Sequence, residues 1–266
     1  MKLQDKVVVV TGGGSGIGRQ IVLQLLRRGA RVAAIDIRQE NLDETARRGA
    51  AGDALATFVV DVADRDATSA LPQKVIDTFG SVDALIHCAG IIQPFVELKD
   101  LEYETIERVV DVNLYGTVHM VKAFLPALLE RPEAHIANVS SMGGFLPVPG
   151  QTIYGATKAA VKLMTEGLYA ELLDTNVGVS VVMPGAVATD ITAHSGVEAP
   201  RAGGNGKAPR MTSAERAAEI ILDGIEDGTL HIYVGRDSRM MNIVNRLAPR
   251  RSTHLIQRQM KGLLSS

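Results

Sequence analysis

Tyr154 and Lys158 stand four residues apart in the helix-forming segment Tyr-Gly-Ala-Thr-Lys. Residues at i and i+4 share a helix face, so the ammonium can lie beside the phenol. A free tyrosine titrates near pH ~10 and is a poor base at neutral pH. A cation close by favours the phenolate, which would let the ring oxygen take up and release a proton under mild conditions. Alone, the spacing is weak, because solvated helices carry it by chance. Its weight comes from the other groups that accompany it in the chain.

The first of these is Thr11-Gly-Gly-Gly-Ser-Gly-Ile-Gly18, between a run of four valines and the apolar stretch Ile21–Leu26. Gly12, Gly14, Gly16 and Gly18 allow a tight turn and a close approach of a pyrophosphate to the backbone, while Ser15 and Ile17 lie at the start of the following helix, whose free N–H groups favour anions. Placed between a strand and a helix, the loop reads as a dinucleotide site rather than a mere turn. Asp36 follows eighteen residues after Gly18. A carboxylate there can accept both ribose hydroxyls and would repel a 2′-phosphate, so NAD is expected and NADP is the alternative. Ser15 stands where a basic residue could pair with that phosphate, which also favours NAD; Arg38 is the residue that could argue otherwise. Further contacts are expected from Asp61 and Val62 at the adenine, Cys88, Ala89 and Gly90 at a ribose, and Pro184, Gly185, Val187 and Thr189 across the nicotinamide.

These groups need a frame. Short β-branched runs alternate with longer amphipathic segments over most of the 266 residues, the pattern of parallel βαβ units. Strands are expected at Val7–Thr11, Arg31–Asp36, Ala56–Val60, Ala84–Cys88, Ala134–Ser140, Val177–Met183 and Leu230–Val234. Helices fall at Gly16–Arg28, Gln39–Arg48, Asp66–Phe79, Leu101–Leu129, Thr152–Leu173 and Ser213–Asp227, the last with Thr212 and Glu215 resembling a capping box. The expected fold is α/β: one Rossmann-type doubly wound domain over residues 1–235, with a seven-stranded parallel sheet flanked by helices. Ala193–Arg210, rich in glycine and proline, reads as a mobile loop.

Residues 236–266 form a basic extension, with seven Lys/Arg against one acid, on a body with 21 bases and 29 acids. Met240, Met241, Ile243, Val244, Leu247, Leu255 and Ile256 interleave with its arginines, and Pro249 divides it into two short helices. Packing on the protein is the favoured reading over an anionic membrane surface.

Composition excludes several classes. A net charge of −2, with neither RNA-binding aromatics nor zinc-finger spacings, gives no case for nucleic acid. The six histidines show no ligand spacing, so no metal is expected. One cysteine fits a reducing compartment, and neither a signal peptide nor an 18-residue apolar span is evident, so a cytoplasmic protein is expected.

Taken together, the motifs resemble the short-chain dehydrogenase/reductase family over roughly residues 5–235. Thr11-Gly12-x-x-x-Gly16-x-Gly18 matches its cofactor loop, Asn113 its helix asparagine, and Ser141 its serine thirteen residues before the tyrosine. Tyr154/Lys158 and Pro184-Gly185 complete the match. The family's Asn-Asn-Ala-Gly is here His87-Cys88-Ala89-Gly90, which loses side-chain amides that would brace the sheet. The resemblance implies hydride transfer between NAD(H) and a secondary alcohol or ketone. Tyr154 would act as general acid/base, Lys158 would lower its pKa and hold the nicotinamide ribose, Ser141 would orient the substrate oxygen, and Asn113 would bind a relay water. An NADP-dependent keto or acyl reductase and a non-catalytic dinucleotide-binding regulator are the alternatives. Ile91, Phe95, Met142, Phe145, Leu146, Val148 and the stretch after Thr189 are expected to line an apolar substrate pocket. The resemblance also implies a homodimer or homotetramer through the helix Thr152–Leu173, whose apolar Ala159, Val161, Leu163, Met164, Leu168 and Leu172 exceed one core-facing stripe.

Overall fold

Valine- and isoleucine-rich runs fit a pleated surface buried on both sides, and here they form seven parallel strands. The computed structural model describes residues 1–189, 191–197 and 211–260. The strands are β1 (Val7–Thr11), β2 (Arg31–Asp36), β3 (Leu55–Val59), β4 (Ala84–His87), β5 (Ala134–Val139), β6 (Val177–Pro184) and β7 (His231–Val234). Their order across the sheet is β3-β2-β1-β4-β5-β6-β7. Chain direction across the sheet reverses between β1 and β4. In such sheets a crevice opens at the carboxyl ends of the strands flanking the reversal.

One face packs on α1 (Gly16–Arg27) and on the helix Ala214–Glu226 through Val8, Val10, Ile21, Leu25, Ile86, Ile221 and Leu222. The other packs on Gly116–Leu129 and Thr152–Glu171 through Val9, Ile35, Leu85, Phe124, Ile136 and Leu168. In chain order the remaining helices are named α2 (Gln39–Gly49), α3 (Leu71–Phe79), α4 (Tyr103–Val110), α5 (Gly116–Leu129), α6 (Thr152–Glu171), α7 (Ala214–Glu226), α8 (Arg236–Leu247) and α9 (Pro249–Met260). Phe124 is completely buried, and truncating it to alanine would cost ~3–5 kcal/mol.

Three expectations are corrected. The helix expected at Asp66–Phe79 is two pieces, a turn at Arg65–Ser69 and then α3, because Pro72 has no N–H to donate to the Thr68 carbonyl and the hydrogen-bond ladder breaks there. The helix expected at Leu101–Leu129 contains a π-helical stretch, Asp111–Tyr115, between α4 and α5. The α7 cap is Ser213, whose hydroxyl accepts from the Arg216 N–H, whereas Thr212 pairs with Val187 in a two-strand ribbon. Of the glycine-rich stretch read as a loop, residues 193–197 close a short helix and turn; the rest lies outside the described residues, as does 261–266.

Candidate active site

β1 ends at Thr11, and the chain must turn sharply to enter α1. Gly12 and Gly16 do this at φ +67° and +49°, in the left-handed region that favours glycine. A Cβ at Gly12 would sit 3.1 Å from the Ala89 nitrogen, and one at Gly18 would run into the Gly12 carbonyl. The loop therefore lies flat against the end of β4, with the α1 N-terminus beside it. Gly12, Ser15, Gly16, Ile17 and Gly18 wall one side of a cavity of about 560 Å³.

Asp36, the last residue of β2, lines the same cavity. Its Oδ2 accepts from the Gly14 N–H at 3.0 Å and its Oδ1 from the Arg38 N–H at 3.1 Å. Gly14 lies behind the wall: a Cβ there would come within 2.7 Å of the carboxylate. The Arg38 guanidinium donates to the His194 carbonyl at 3.2 Å. Asp61 and Val62 continue the wall beside Asp36, and the Asp61 carboxylate accepts from the Ala63 N–H at 2.9 Å.

The Thr11 hydroxyl ties β1 to β4. Its oxygen accepts from the Cys88 and Ala89 N–H groups at 3.0 and 3.1 Å. Its hydrogen is thus left for His87 Nδ1, 2.9 Å away, which assigns the imidazole proton to Nε2. His87 supplies the brace that the missing asparagine amides would have given. Burial, with Lys158 nearby as the second cause, pushes its pKa down to about 3, and burial pushes the Cys88 thiol up to about 11. Cys88, Ala89 and Gly90 line the cavity beside the glycine loop, and Pro184, Gly185, Val187 and Thr189 line it from the end of β6.

Helix α6 brings Tyr154 and Lys158 to the same cavity, where Ser141 joins them from the end of β5. A Cβ on Gly143 would meet both Ser141 Oγ and Tyr154 Cε1 at 3.4 Å, so the two side chains flank one point. The Lys158 Nζ lies 6.0 Å from the Tyr154 ring centroid and donates to the Val139 carbonyl at 3.0 Å. Burial lowers the Lys158 pKa to about 8. The Tyr154 phenol is raised above the ordinary tyrosine value by burial first, with Ser141 pulling it down and Cys88 pushing it up. This is opposite to the lowering expected from a neighbouring ammonium, because burial, the largest cause, penalises the phenolate. Asn113 does not line the cavity. It is completely buried on the π-helical stretch, with Oδ1 accepting from Ile91 N–H at 2.8 Å and Nδ2 donating to the Ile91 carbonyl at 2.9 Å and to Thr157 Oγ1 at 3.2 Å.

Of the expected substrate-pocket residues, Ile91 lines the cavity and Phe95, Met142, Phe145, Leu146 and Val148 do not. Leu146 is instead completely buried with Met241 of α8 and Ile256 of α9, and Met142 and Phe145 pack on that cluster. Alternation along a loop carries no directional information, so the sequence could not separate these outcomes. Beyond Thr189, Ile191, His194 and Ser195 line the cavity, as do Ile92, Arg108 and Val112, which sequence reasoning missed. Ser195 is held there by two bonds, from the Ile92 N–H to its Oγ at 3.0 Å and from Arg108 to its carbonyl at 3.2 Å.

The residues present fit a nicotinamide dinucleotide: a cradle that side chains would fill, a helix N-terminus for the pyrophosphate, and a carboxylate one nucleoside away. Residues 6–199 match the family model described as short chain dehydrogenase. SadH of Mycobacterium tuberculosis, assigned as an oxidoreductase, is 34% identical over 92% of this chain and 91% of its own. Two solved structures are similar at a TM-score of 0.81. A short chain dehydrogenase/reductase from Burkholderia phymatum, in complex with NAD, is 26% identical over 93% of this chain and 96% of its own. A short chain dehydrogenase from Burkholderia cenocepacia, in complex with NADP, is 25% identical over 96% of this chain and 99% of its own.

Proposed function

Because the chain belongs to the short chain dehydrogenase family of oxidoreductases, we propose that it interconverts a secondary alcohol and a ketone of apolar character with NAD(H). The observation that carries this reading is the meeting of Ser141, Tyr154 and Lys158 in one cavity with Asp36, which reaches it from β2, with two strands between it and β5 in the sheet. When bound, the nicotinamide supplies or accepts the hydride. Tyr154 exchanges a proton with the substrate oxygen as the carbon is reduced or oxidised. In the reducing direction a phenol kept protonated is the correct starting form, and the raised pKa supplies it. The Ser141 hydroxyl donates to the same substrate oxygen and holds the carbonyl in line. Lys158 holds the ribose hydroxyls and favours the phenolate once a proton has left. Asn113 acts by fixing Ile91 against Thr157, which keeps the end of β4 and α6 at constant separation.

Asp36 favours NAD over NADP, and its engagement by the Gly14 N–H keeps the carboxylate at the cavity. Ile91, Ile92, Val112 and Ile191 support an apolar substrate. Exposed Leu163 and Leu173, on and just after α6, support assembly into a dimer or tetramer through that helix, which light scattering checks. Among the described residues no helix is long and apolar enough to cross a membrane; a cytoplasmic location remains part of the proposal.

Tyr154→Phe removes only the transferable hydroxyl. Turnover of an alcohol panel, followed by reduced-nicotinamide absorbance, should fall at least ~10²-fold with NADH affinity retained. Near-normal turnover in the folded variant would remove this mechanism.

A further inference from the structure

The first N–H groups of any α-helix lack partners within it, and a helix whose start is buried must find them elsewhere. α6 begins without a local cap: its N-cap position is Gln151, whose side chain makes no bond to the helix. The acceptor comes from the loop after β4. Gln93, completely buried, places its Oε1 2.9 Å from both the Ile153 and the Tyr154 nitrogens. Its Nε2 donates to the Gly150 carbonyl at 3.0 Å, and its own backbone carbonyl accepts from Gln151 Nε2 at 2.7 Å. The two glutamines thus exchange partners. One caps the other's helix and receives that residue's amide in return.

The arrangement fixes orientation as well as position. Gln151 must turn its NH₂ toward the Gln93 carbonyl, and its Oε1, buried, finds no partner among the described residues. An unpaired buried acceptor is costly, and the chain bears it here to keep the tie. Two residues upstream, Ile91 is pinned at both backbone groups by Asn113. The segment Ile91–Gln93 is therefore a short rigid strut between the cavity wall and the first turn of α6.

We infer that Gln93 is the positioning residue for Tyr154, holding the first turn of α6 at the height and rotation that set the phenol against Ser141. The inference rests on the reading of Tyr154 as the proton-exchanging group. Its structural part can be measured without turnover.

The test uses the full chain with ¹³Cζ-labelled tyrosine, the Tyr154 resonance being assigned by its loss in Tyr154→Phe. Gln93→Met keeps length and removes the acceptor; Gln93→Glu keeps an acceptor oxygen. In Gln93→Met the phenol keeps the burial that raises its pKa and loses the Ser141 hydroxyl that pulls it down, so its titration midpoint should rise further. The Ile153 and Tyr154 amide protons should exchange roughly tenfold faster or more. Gln93→Glu should stay near the unsubstituted protein in amide exchange, because its oxygen still accepts from both N–H groups; the titration comparison is between Gln93→Met and the unsubstituted protein, since a carboxylate adds a charge beside the phenol. Turnover should fall in Gln93→Met while NADH affinity holds. If Gln93→Met does not fold, Gln93→Asn, one methylene too short to reach, replaces it against Gln93→Glu. A folded acceptor-less variant with unchanged titration and exchange overturns the inference, as does a folded Gln93→Glu whose Ile153 and Tyr154 amides exchange as fast as those of Gln93→Met. Normal turnover in Tyr154→Phe would overturn the functional reading instead and leave the titration comparison standing.

Discussion

The Ser140 hydroxyl donates to the Lys158 carbonyl oxygen at 2.6 Å, so the serine beside Ser141 is spent on joining the end of β5 to α6. Ser141, one residue on, accepts from the Gly143 N–H at 3.0 Å and keeps its own hydrogen for another partner. Strand alternation turns neighbouring side chains to opposite faces, and here it separates a hydroxyl spent on the frame from the one proposed to meet the substrate. Ser141→Ala should lower turnover on the order of 10²-fold, as loss of a donor to a developing oxyanion does. Ser140→Ala should cost about 1 kcal/mol of stability and change turnover only a few-fold. Steady-state kinetics and thermal melts of both variants check the order, and its reversal would exchange the two roles.

Asp36→Ala removes the carboxylate that would repel a 2′-phosphate. The ratio of kcat/KM for NAD to that for NADP should fall about tenfold or more, a change of ~1.4 kcal/mol. The Gly14 N–H also loses its acceptor, so NAD binding weakens in absolute terms. An unsubstituted protein that already prefers NADP would defeat the prediction and direct attention to Arg38.

Two buried histidines set an acid limit on stability. Burial lowers the folded pKa of His87 to about 3 and that of His135 to about 4, from 6.5 in the exposed chain. The unfolded chain therefore binds more protons below pH 6.5, and stability falls as pH falls from there toward the folded values. Each histidine contributes up to about 1.4 kcal/mol per pH unit in that window. Denaturant melts between pH 7 and 4.5 should show the slope, and His135→Gln should flatten it. A level profile would mean that neither imidazole stays neutral and buried.

The C-terminal helices bear on the loop that follows Ser141. Asn245 donates to the Phe145 carbonyl at 2.7 Å, and Met241 and Ile256 bury Leu146. Met241→Ala should cost ~2–5 kcal/mol through the cavity it leaves. It should also alter substrate KM more than NAD affinity. Deleting residues 237–266 should do both more strongly. Should the truncated protein be unchanged while the full chain pellets with anionic liposomes, exposed Met240, Ile243 and Leu247 would be the membrane-facing residues.

Much of this arrangement was legible in the chain. The strands were readable because burial on both sheet faces makes them continuous β-branched runs, and β1 and β2 fall where expected to the residue. The glycine loop, Asp36, Ser141, Tyr154 and Lys158 were readable because local spacing fixes their placement on a strand end or helix turn. What escaped depends on distant pairing. His87 stands where the family has an asparagine, and its bond to Thr11 comes from pairing in register with the neighbouring strand. Gln93 caps a helix about sixty residues away in sequence, and no local pattern marks such a cap. The apolar residues after Ser141 were assigned to the pocket because the sequence could not say that α8 and α9 would cover them.

Cys88 is the chain's one cysteine, and it stands in the wall of the cavity with its thiol pushed up to about 11. In an unfolded chain the same thiol titrates near pH ~8.5 and reacts far faster with alkylating agents. The protein consequently carries its own single-site chemical clock. At neutral pH its rate of alkylation reports access through the cavity together with opening of the end of β4, with no background from other thiols. Any dinucleotide lodged against Ala89 and Gly90 should slow that clock, so occupancy of the cleft can be read by mass spectrometry before a substrate is known.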